Sequence, residues 1–153
     1  MKEDIYSVRQ MQSEDLDKIM EIWLESNQQA HSFLSADYWE KKSEPVREMI
    51  KQAEIYVACF DGMPTGFIGL DDGYIAGIFV SELFRGRGIG TSLLTKAKRL
   101  FRELRLHVYV KNKQAVEFYK SENFSICRKT VEEETKEEEY LMVWKRDRIK
   151  NSK

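Results

Sequence analysis

A β-branched strand, three alternating glycines and an amphipathic helix follow one another between Tyr74 and Phe101, and no other stretch of this 153-residue chain constrains its fold as tightly. The run Tyr74-Ile75-Ala76-Gly77-Ile78-Phe79-Val80 is apolar and β-branched, which predicts a strand. Ile89, Leu93, Leu94, Ala97, Leu100 and Phe101 recur at helical spacing, so a helix should open between Gly88 and Thr91. The first N–H groups of a helix lack intrahelical partners and carry partial positive charge, which suits them to anions. Gly86, Gly88 and Gly90 let a phosphate approach those groups without meeting a Cβ, and Arg85 and Arg87 add charge beside them. The segment reads as a phosphate cradle.

Two familiar cradles fail on spacing. A dinucleotide site needs Gly-x-Gly-x-x-Gly, and counting from Gly86 puts Thr91 at the third glycine. A nucleoside-triphosphate loop needs Gly-Lys-Ser/Thr, and Thr91-Ser92 follow Gly90 with no lysine between. Arg85 to Gly90 does have the form Arg-x-x-Gly-x-Gly, and the stretch Ile78 to Gly90 resembles in register the pyrophosphate-binding motif of the GCN5-related N-acetyltransferases (GNAT). Glu82 departs from that motif where proline is common. A second segment, Asn112-Lys113-Gln114-Ala115-Val116-Glu117-Phe118-Tyr119-Lys120-Ser121-Glu122-Asn123-Phe124, resembles the family's Asn-x-x-Ala-x-x-Phe-Tyr-x-x-x-Gly-Phe. Asn123 replaces the glycine, and asparagine is the other residue that tolerates a left-handed helix stop.

The remainder of the chain reads as an alternation of elements. A strand over Ile5 to Met11 leads to a helix capped by Ser13 that turns Leu16, Ile19, Met20, Trp23 and Leu24 inward. A second helix covers about 35–51, with a break expected near Pro45. Strands over Glu54–Phe60, Thr65–Leu70 and Tyr74–Val80 are joined by Asp61-Gly62 and Asp72-Gly73, both hairpin signals. After the cradle helix come a strand from Leu104 to Val110, a helix from Lys113 to Glu122, and strands near Phe124–Lys129 and Tyr140–Trp144. The order β-α-α-β-β-β-α-β-α-β-β is that of the GNAT fold. The resemblance therefore implies an α/β protein with a mixed, mostly antiparallel central sheet flanked by helices. One domain spans residues 1–145, and 146–153 form a basic polar tail.

Composition narrows the function classes. With 42% hydrophobic and 33% charged residues the chain belongs with globular proteins rather than disordered ones. A net charge of −1 gives no overall pull toward nucleic acid or an anionic membrane, so neither is expected as a partner. No apolar run approaches a membrane span, and Met1-Lys2-Glu3-Asp4 does not read as a signal peptide; a cytoplasmic monomer or homodimer is expected. Cys59 and Cys127 lie in strand-like runs and read as two core thiols. Two histidines and no His/Cys cluster argue against a metal site.

The resemblance implies acetyl-coenzyme A as co-substrate and a primary amine as acceptor, attacked directly in a ternary complex. Protein lysine or an N-terminal amine is favoured over a small molecule. A non-catalytic acyl-coenzyme A-sensing module is the alternative of another class. The chemistry sets its own needs: making a lysine-like amine neutral at pH 7 costs roughly 4.6 kcal/mol, so a base or water relay is required, together with an acid for the departing thiolate. By the family pattern Tyr119 is that acid, although Ala115, Phe118 and Tyr119 share a helical face and packing accounts for part of the placement. Asn112 matches a coenzyme-contacting asparagine and equally suits a helix N-cap. Coenzyme binding is otherwise carried over to Phe79, Val80, Arg85, Gly86, Arg87, Gly88, Ile89, Gly90 and Thr91.

His107, five residues before Asn112, matches an offset at which some protein acetyltransferases of the family carry a glutamate base, and histidine can do that work near neutral pH. Strand alternation puts it on one face with Tyr109, where a plain surface role is equally open. The segment from His31 to Trp39 resembles a small bacterial subgroup with His-x-Phe-Leu/Ile followed by Tyr-Trp. The loop between the first two helices borders the acceptor pocket in that fold, which makes His31 and Phe33 substrate-binding candidates. Six glutamates, Glu132–Glu134 and Glu137–Glu139, flank the last turn, either as solvated surface or as a lure for a cationic acceptor.

Overall fold

The computed structural model describes residues 6–147 and builds one seven-stranded sheet with two helices against each face. In chain order the elements are β1 (Tyr6–Gln10), α1 (Leu16–Ala30), α2 (Ala36–Gln52), β2 (Glu54–Phe60), β3 (Met63–Asp71), β4 (Tyr74–Val80), α3 (Ile89–Leu100), β5 (Glu103–Tyr109), α4 (Lys113–Ser121), β6 (Ser125–Val131) and β7 (Glu138–Lys145). This is the expected order. Ile5 and residues 148–153 of the expected tail lie outside the described residues.

Strand alternation sorts the core into two layers. From β2, Ile55, Val57 and Cys59 join Phe67 of β3 against Ile19, Ile22 and Trp23 of α1 and Trp39 and Ile50 of α2. Tyr56 and Ala58 face the other way, with Ile68, Leu70, Ile75, Leu104, Leu106 and Met142, toward Leu93, Leu94 and Ala97 of α3 and Val116 and Tyr119 of α4. Both hairpin signals hold: Asp61, Gly62, Asp72 and Gly73 all have positive φ, at 53°, 82°, 51° and 87°, as a two-residue turn matched to strand twist requires.

The sheet order is β1-β2-β3-β4-β5-β7-β6, and every pairing is antiparallel except β4 with β5. That parallel pairing spans only Tyr74–Arg105 and Ile75–Leu106. Beyond it the two strands diverge, and the edge of β4 that faces β5 is left without a strand partner from Ala76 to Val80. The sheet is therefore split at its centre, on the C-terminal side of both strands.

Three expectations are corrected. Ser13 does not cap α1; it starts a single 3-10 turn, Ser13–Asp15, ahead of Leu16. The buried Asp15 carboxylate closes that turn by accepting from the Gln12 N–H at 2.8 Å, and it also takes both Arg9 guanidinium nitrogens at 2.7 and 3.1 Å. Second, α2 continues unbroken through Pro45, with Ser35 as its N-cap. Pro45 and Lys41 are both exposed, so water can satisfy the Lys41 carbonyl that the proline leaves without a donor. Third, Cys59 is buried as expected, but Cys127 is exposed. Because β7 inserts between β5 and β6, β6 becomes the outer strand and carries Cys127 to the surface.

Candidate active site

The split in the sheet opens into a cleft of about 450 Å³, and most of the residues singled out in the sequence line it. Its first wall is β4 and the start of α3: Ile78, Phe79, Val80, Arg85, Gly86, Gly88, Ile89, Gly90 and Thr91. Gly86 and Gly88 sit in the left-handed region, at φ 78° and 80°, and a Cβ on either would project into open space. Gly88 is the N-cap of α3, and no side chain caps the helix. Backbone N–H groups, the helix dipole and Arg85 thus meet at an uncovered glycine surface, which fits a pyrophosphate. The unpaired edge of β4 fits an extended amide-bearing arm such as pantetheine, which could bond to it as a strand would.

Three cradle residues also make contacts within the chain. Gly90 lines the cleft, yet its missing Cβ also admits the Phe118 ring, whose Cζ would lie 3.0 Å from it. The Arg87 guanidinium stacks over Phe84 at 5.2 Å and does not line the cleft. Thr91 donates its hydroxyl to Glu122 at 2.7 Å, tying α3 to the end of α4.

The second wall is α4, with Asn112, Gln114, Ala115, Phe118 and Tyr119. The Asn112 side chain caps the helix by accepting the Ala115 N–H at 3.3 Å. Asn123, at φ 75°, provides the left-handed stop, and the Phe124 N–H returns to the Tyr119 carbonyl at 3.0 Å. Phe124 thereby packs on Tyr119, with ring centroids 5.6 Å apart, and Phe118 packs on it at 5.4 Å. Tyr119 is only 8% exposed. That burial, and secondarily nearby Tyr74, hold its phenol pKa well above the ordinary tyrosine value.

The third wall is the end of α1: Ser26, Asn27, Gln29, Ala30 and then His31. Burial pushes the His31 pKa down to about 4. Its ring is enclosed by Phe33, Trp39 and Tyr109, with centroids at 5.7, 5.4 and 5.0 Å. His31 Nδ1 lies 3.1 Å from Asn27 Oδ1, and Nε2 lies 3.2 Å from the Asn112 amide nitrogen. Asn27 is itself 4% exposed and donates to the Trp23 carbonyl at 2.9 Å. Sequence reasoning missed Asn27, Gln29 and Gln114. The signal for Asn27 was its place one helical turn before His31, which puts both on one face.

Besides Arg87, two candidates stand outside the cleft. Phe33 packs behind His31, against Tyr109 at 5.3 Å, with the Lys111 ammonium over its outer face. His107 is exposed on the sheet face it shares with Tyr109, one residue past the last β4–β5 pair, and its Nδ1 lies 2.8 Å from the Tyr74 hydroxyl. The glutamate run is largely committed to this chain's own groups. Glu132 accepts from Tyr109 at 2.8 Å, Glu134 from Lys42 at 2.7 Å, and Glu137 and Glu138 pair with Lys111 and Lys129. Among the described residues no group of His, Cys, Asp and Glu could hold a metal ion, and no helix is long and apolar enough to cross a membrane.

Comparison with known proteins agrees with this geometry. Residues 16–124 match the acetyltransferase (GNAT) family. The chain is 33% identical over 139 residues to the peptidyl-lysine N-acetyltransferase YiaC of Escherichia coli, spanning 90% of this chain and 95% of that protein. It is 32% identical over 123 residues to the peptidyl-lysine N-acetyltransferase YjaB of the same organism, with 80% and 84% covered. The solution structure of apo YjaB superposes with a TM-score of 0.83 at 27% identity, over 94% of this chain and 99% of that one. The PaiA N-acetyltransferase of Thermoplasma acidophilum, in complex with coenzyme A, shares the fold at a TM-score of 0.78 and 20% identity, over 92% and 98%. The chain belongs to the GNAT family. It is an acetyl-coenzyme A-dependent N-acetyltransferase.

Proposed function

We propose that the protein acetylates lysine side chains or N-terminal amines of proteins, by direct attack of the amine on acetyl-coenzyme A within a ternary complex. The observation that carries this reading is the single cleft through the β4–β5 split: the cradle glycines, the free edge of β4 and Tyr119 all border it. A thioester whose diphosphate rests on Gly86–Gly90 and whose arm follows β4 is led toward the Tyr119 side of the cleft. The peptidyl-lysine specificity of two relatives supports a protein acceptor over a small amine.

In this reaction the neutral amine adds to the thioester carbonyl, the C–S bond breaks, and the departing sulfur takes a proton. Tyr119 donates it: a phenol is protonated at neutral pH, and burial raises its pKa further. The proton lost by the amine passes to His107, directly or through water. His107 can take it on Nε2 only as the tautomer whose Nδ1–H donates to the Tyr74 oxygen. The test is mass spectrometry of a denatured-proteome peptide mixture and of a panel of free amines, each incubated with acetyl-coenzyme A with and without the protein. New acetyl-lysine or acetylated N-termini are expected. Acetylation confined to the free amines would replace the protein acceptor with a small molecule.

A further inference from the structure

The hydrogen bonds around His31 leave its ring only one state. The Ala115 N–H can only donate, so the Asn112 atom it meets is the carbonyl oxygen, and the Asn112 NH₂ must be what faces His31 Nε2. The Trp23 carbonyl can only accept, so Asn27 presents its NH₂ there and its oxygen to His31 Nδ1. His31 must therefore donate from Nδ1 and accept at Nε2. It is the neutral Nδ1–H tautomer, and a proton on Nε2 would set one donor against another. Both orientations are dictated by backbone groups rather than by choice of amide flip.

The resulting chain of bonds runs from Trp23 and Asn27 on α1, through His31, to Asn112 and the first turn of α4. These elements form two walls of the cleft, and no other side-chain hydrogen bond among the described residues joins α1 or the loop after it to α4. We infer that His31 is a positioning residue that acts through Asn112: as a neutral bridge it fixes the N-terminus of α4, and with it Tyr119, against α1. This revises the expectation that His31 contacts the acceptor, and it withholds His31 from base catalysis, because its Nε2 lone pair is already used. The inference rests on the acetyl-transfer reading for its kinetic consequence but not for its chemistry.

The groups facing the ring are few. Asn27 from α1 and Asn112 from α4 are uncharged, Trp39 of α2 and Phe33 are apolar, and Tyr109 of β5 is held protonated by burial. Lys111 lies over the Phe33 ring and pairs with Glu137, and Arg85 and Tyr119 line the same cleft. None of them brings a negative charge to the ring.

The decisive experiment is long-range ¹H–¹⁵N NMR of the imidazoles, which needs no acceptor; with two histidines in the chain, His107→Gln assigns the signals. The parent should show His31 as the Nδ1–H tautomer from about pH 8 to about pH 5, a range in which a free imidazole would titrate. Asn112→Asp keeps the helix cap but turns an acceptor toward Nε2, so His31 should then titrate within that range. An Nε2–H tautomer in the parent, or a His31 that behaves alike in parent and Asn112→Asp, overturns the inference. With turnover in hand, His31→Ala should lower kcat by about 10- to 100-fold at unchanged acceptor KM, as misplacement of a reacting group does. An effect confined to acceptor KM would return His31 to substrate contact. A parent that binds coenzyme A but acetylates nothing would sink the acetyl-transfer reading alone, leaving the NMR result to decide the bridge.

Discussion

Tyr119→Phe removes one oxygen from a ring packed on Phe118 and Phe124 and leaves the packing intact. Its effect can be bounded from the structure. Burial lifts the phenol above its ordinary value of about 10, while an ordinary thiol titrates near 8.5. Complete proton transfer from Tyr119 to a free thiolate is thus uphill by at least about 2 kcal/mol. What the hydroxyl supplies is a hydrogen bond that strengthens as charge reaches the sulfur, with the proton following late. A hydrogen bond to a charged partner contributes about 1.5–3 kcal/mol, which corresponds to a loss of about 10- to 150-fold in kcat. That is the low side of the usual range for general acids. Coenzyme A affinity, measured by calorimetry, should stay within about threefold and stability within about 1 kcal/mol, since the ring is retained. The assay is thiol release under saturating acceptor, paired with direct detection of the acetylated product. A variant that turns over within about threefold of the parent would reduce Tyr119 to a core aromatic. An equal fall in coenzyme affinity would make it a binding residue.

Gly88→Ala places a methyl group in the open cradle at φ 80°; it should weaken coenzyme A binding by at least about tenfold in calorimetry and cost about 1–2 kcal/mol of stability, and unchanged affinity would remove Gly88 from the phosphate site. His31 titrates near 6.5 in the unfolded chain and at about 4 in the fold, so the unfolded state binds the extra proton in between; stability is complete above about pH 6.5 and falls as pH drops, by about 2 kcal/mol at pH 5. Denaturant melts at pH 7.5 and 5 should show that loss in the parent and not in His31→Gln. Asp15→Asn strips the charge from the buried Arg9 partner and should lower unfolding free energy by about 2–3 kcal/mol in urea, whereas a surface-like change under 0.5 kcal/mol would deny the link a structural role. His107→Gln should lower kcat/KM for a fixed peptide acceptor by about 100-fold or more, and a value within about threefold of the parent would assign the amine proton to another group.

Local chemistry explains why so much of the fold could be read along the chain. Asp-Gly at 61–62 and 72–73 can adopt consecutive positive φ values that few other pairs tolerate, so both hairpins were visible as dipeptides. The apolar stripe Ile89, Leu93, Leu94 and Ala97 is buried as its spacing requires. Asn123 stands left-handed where the motif has glycine. The glycine run was legible for the same reason: the backbone it exposes at Gly86 and Gly88 is set by residues close together in sequence.

Other features depend on partners far away in the chain. Pro45 breaks a helix only if the freed carbonyl is buried, and exposure is a tertiary property. Cys127 was expected inside because it lies in a strand-like run, but the insertion of β7 between β5 and β6 makes β6 an edge. The cleft itself exists because β4 and β5 stop pairing after Ile75 and Leu106, a consequence of how two twisted half-sheets meet, which neither strand's sequence records. The bridge from Asn27 through His31 to Asn112 spans 81 positions between its last two members and needs α1 and α4 to face one another before any of its bonds can form. Sequence alone determined the elements, their order and the glycine run that opens α3, since each is set by residues within a turn or two of one another. Tertiary structure decided which groups share the cleft and in what protonation state, because burial and hydrogen-bond direction are imposed by residues that only folding brings together.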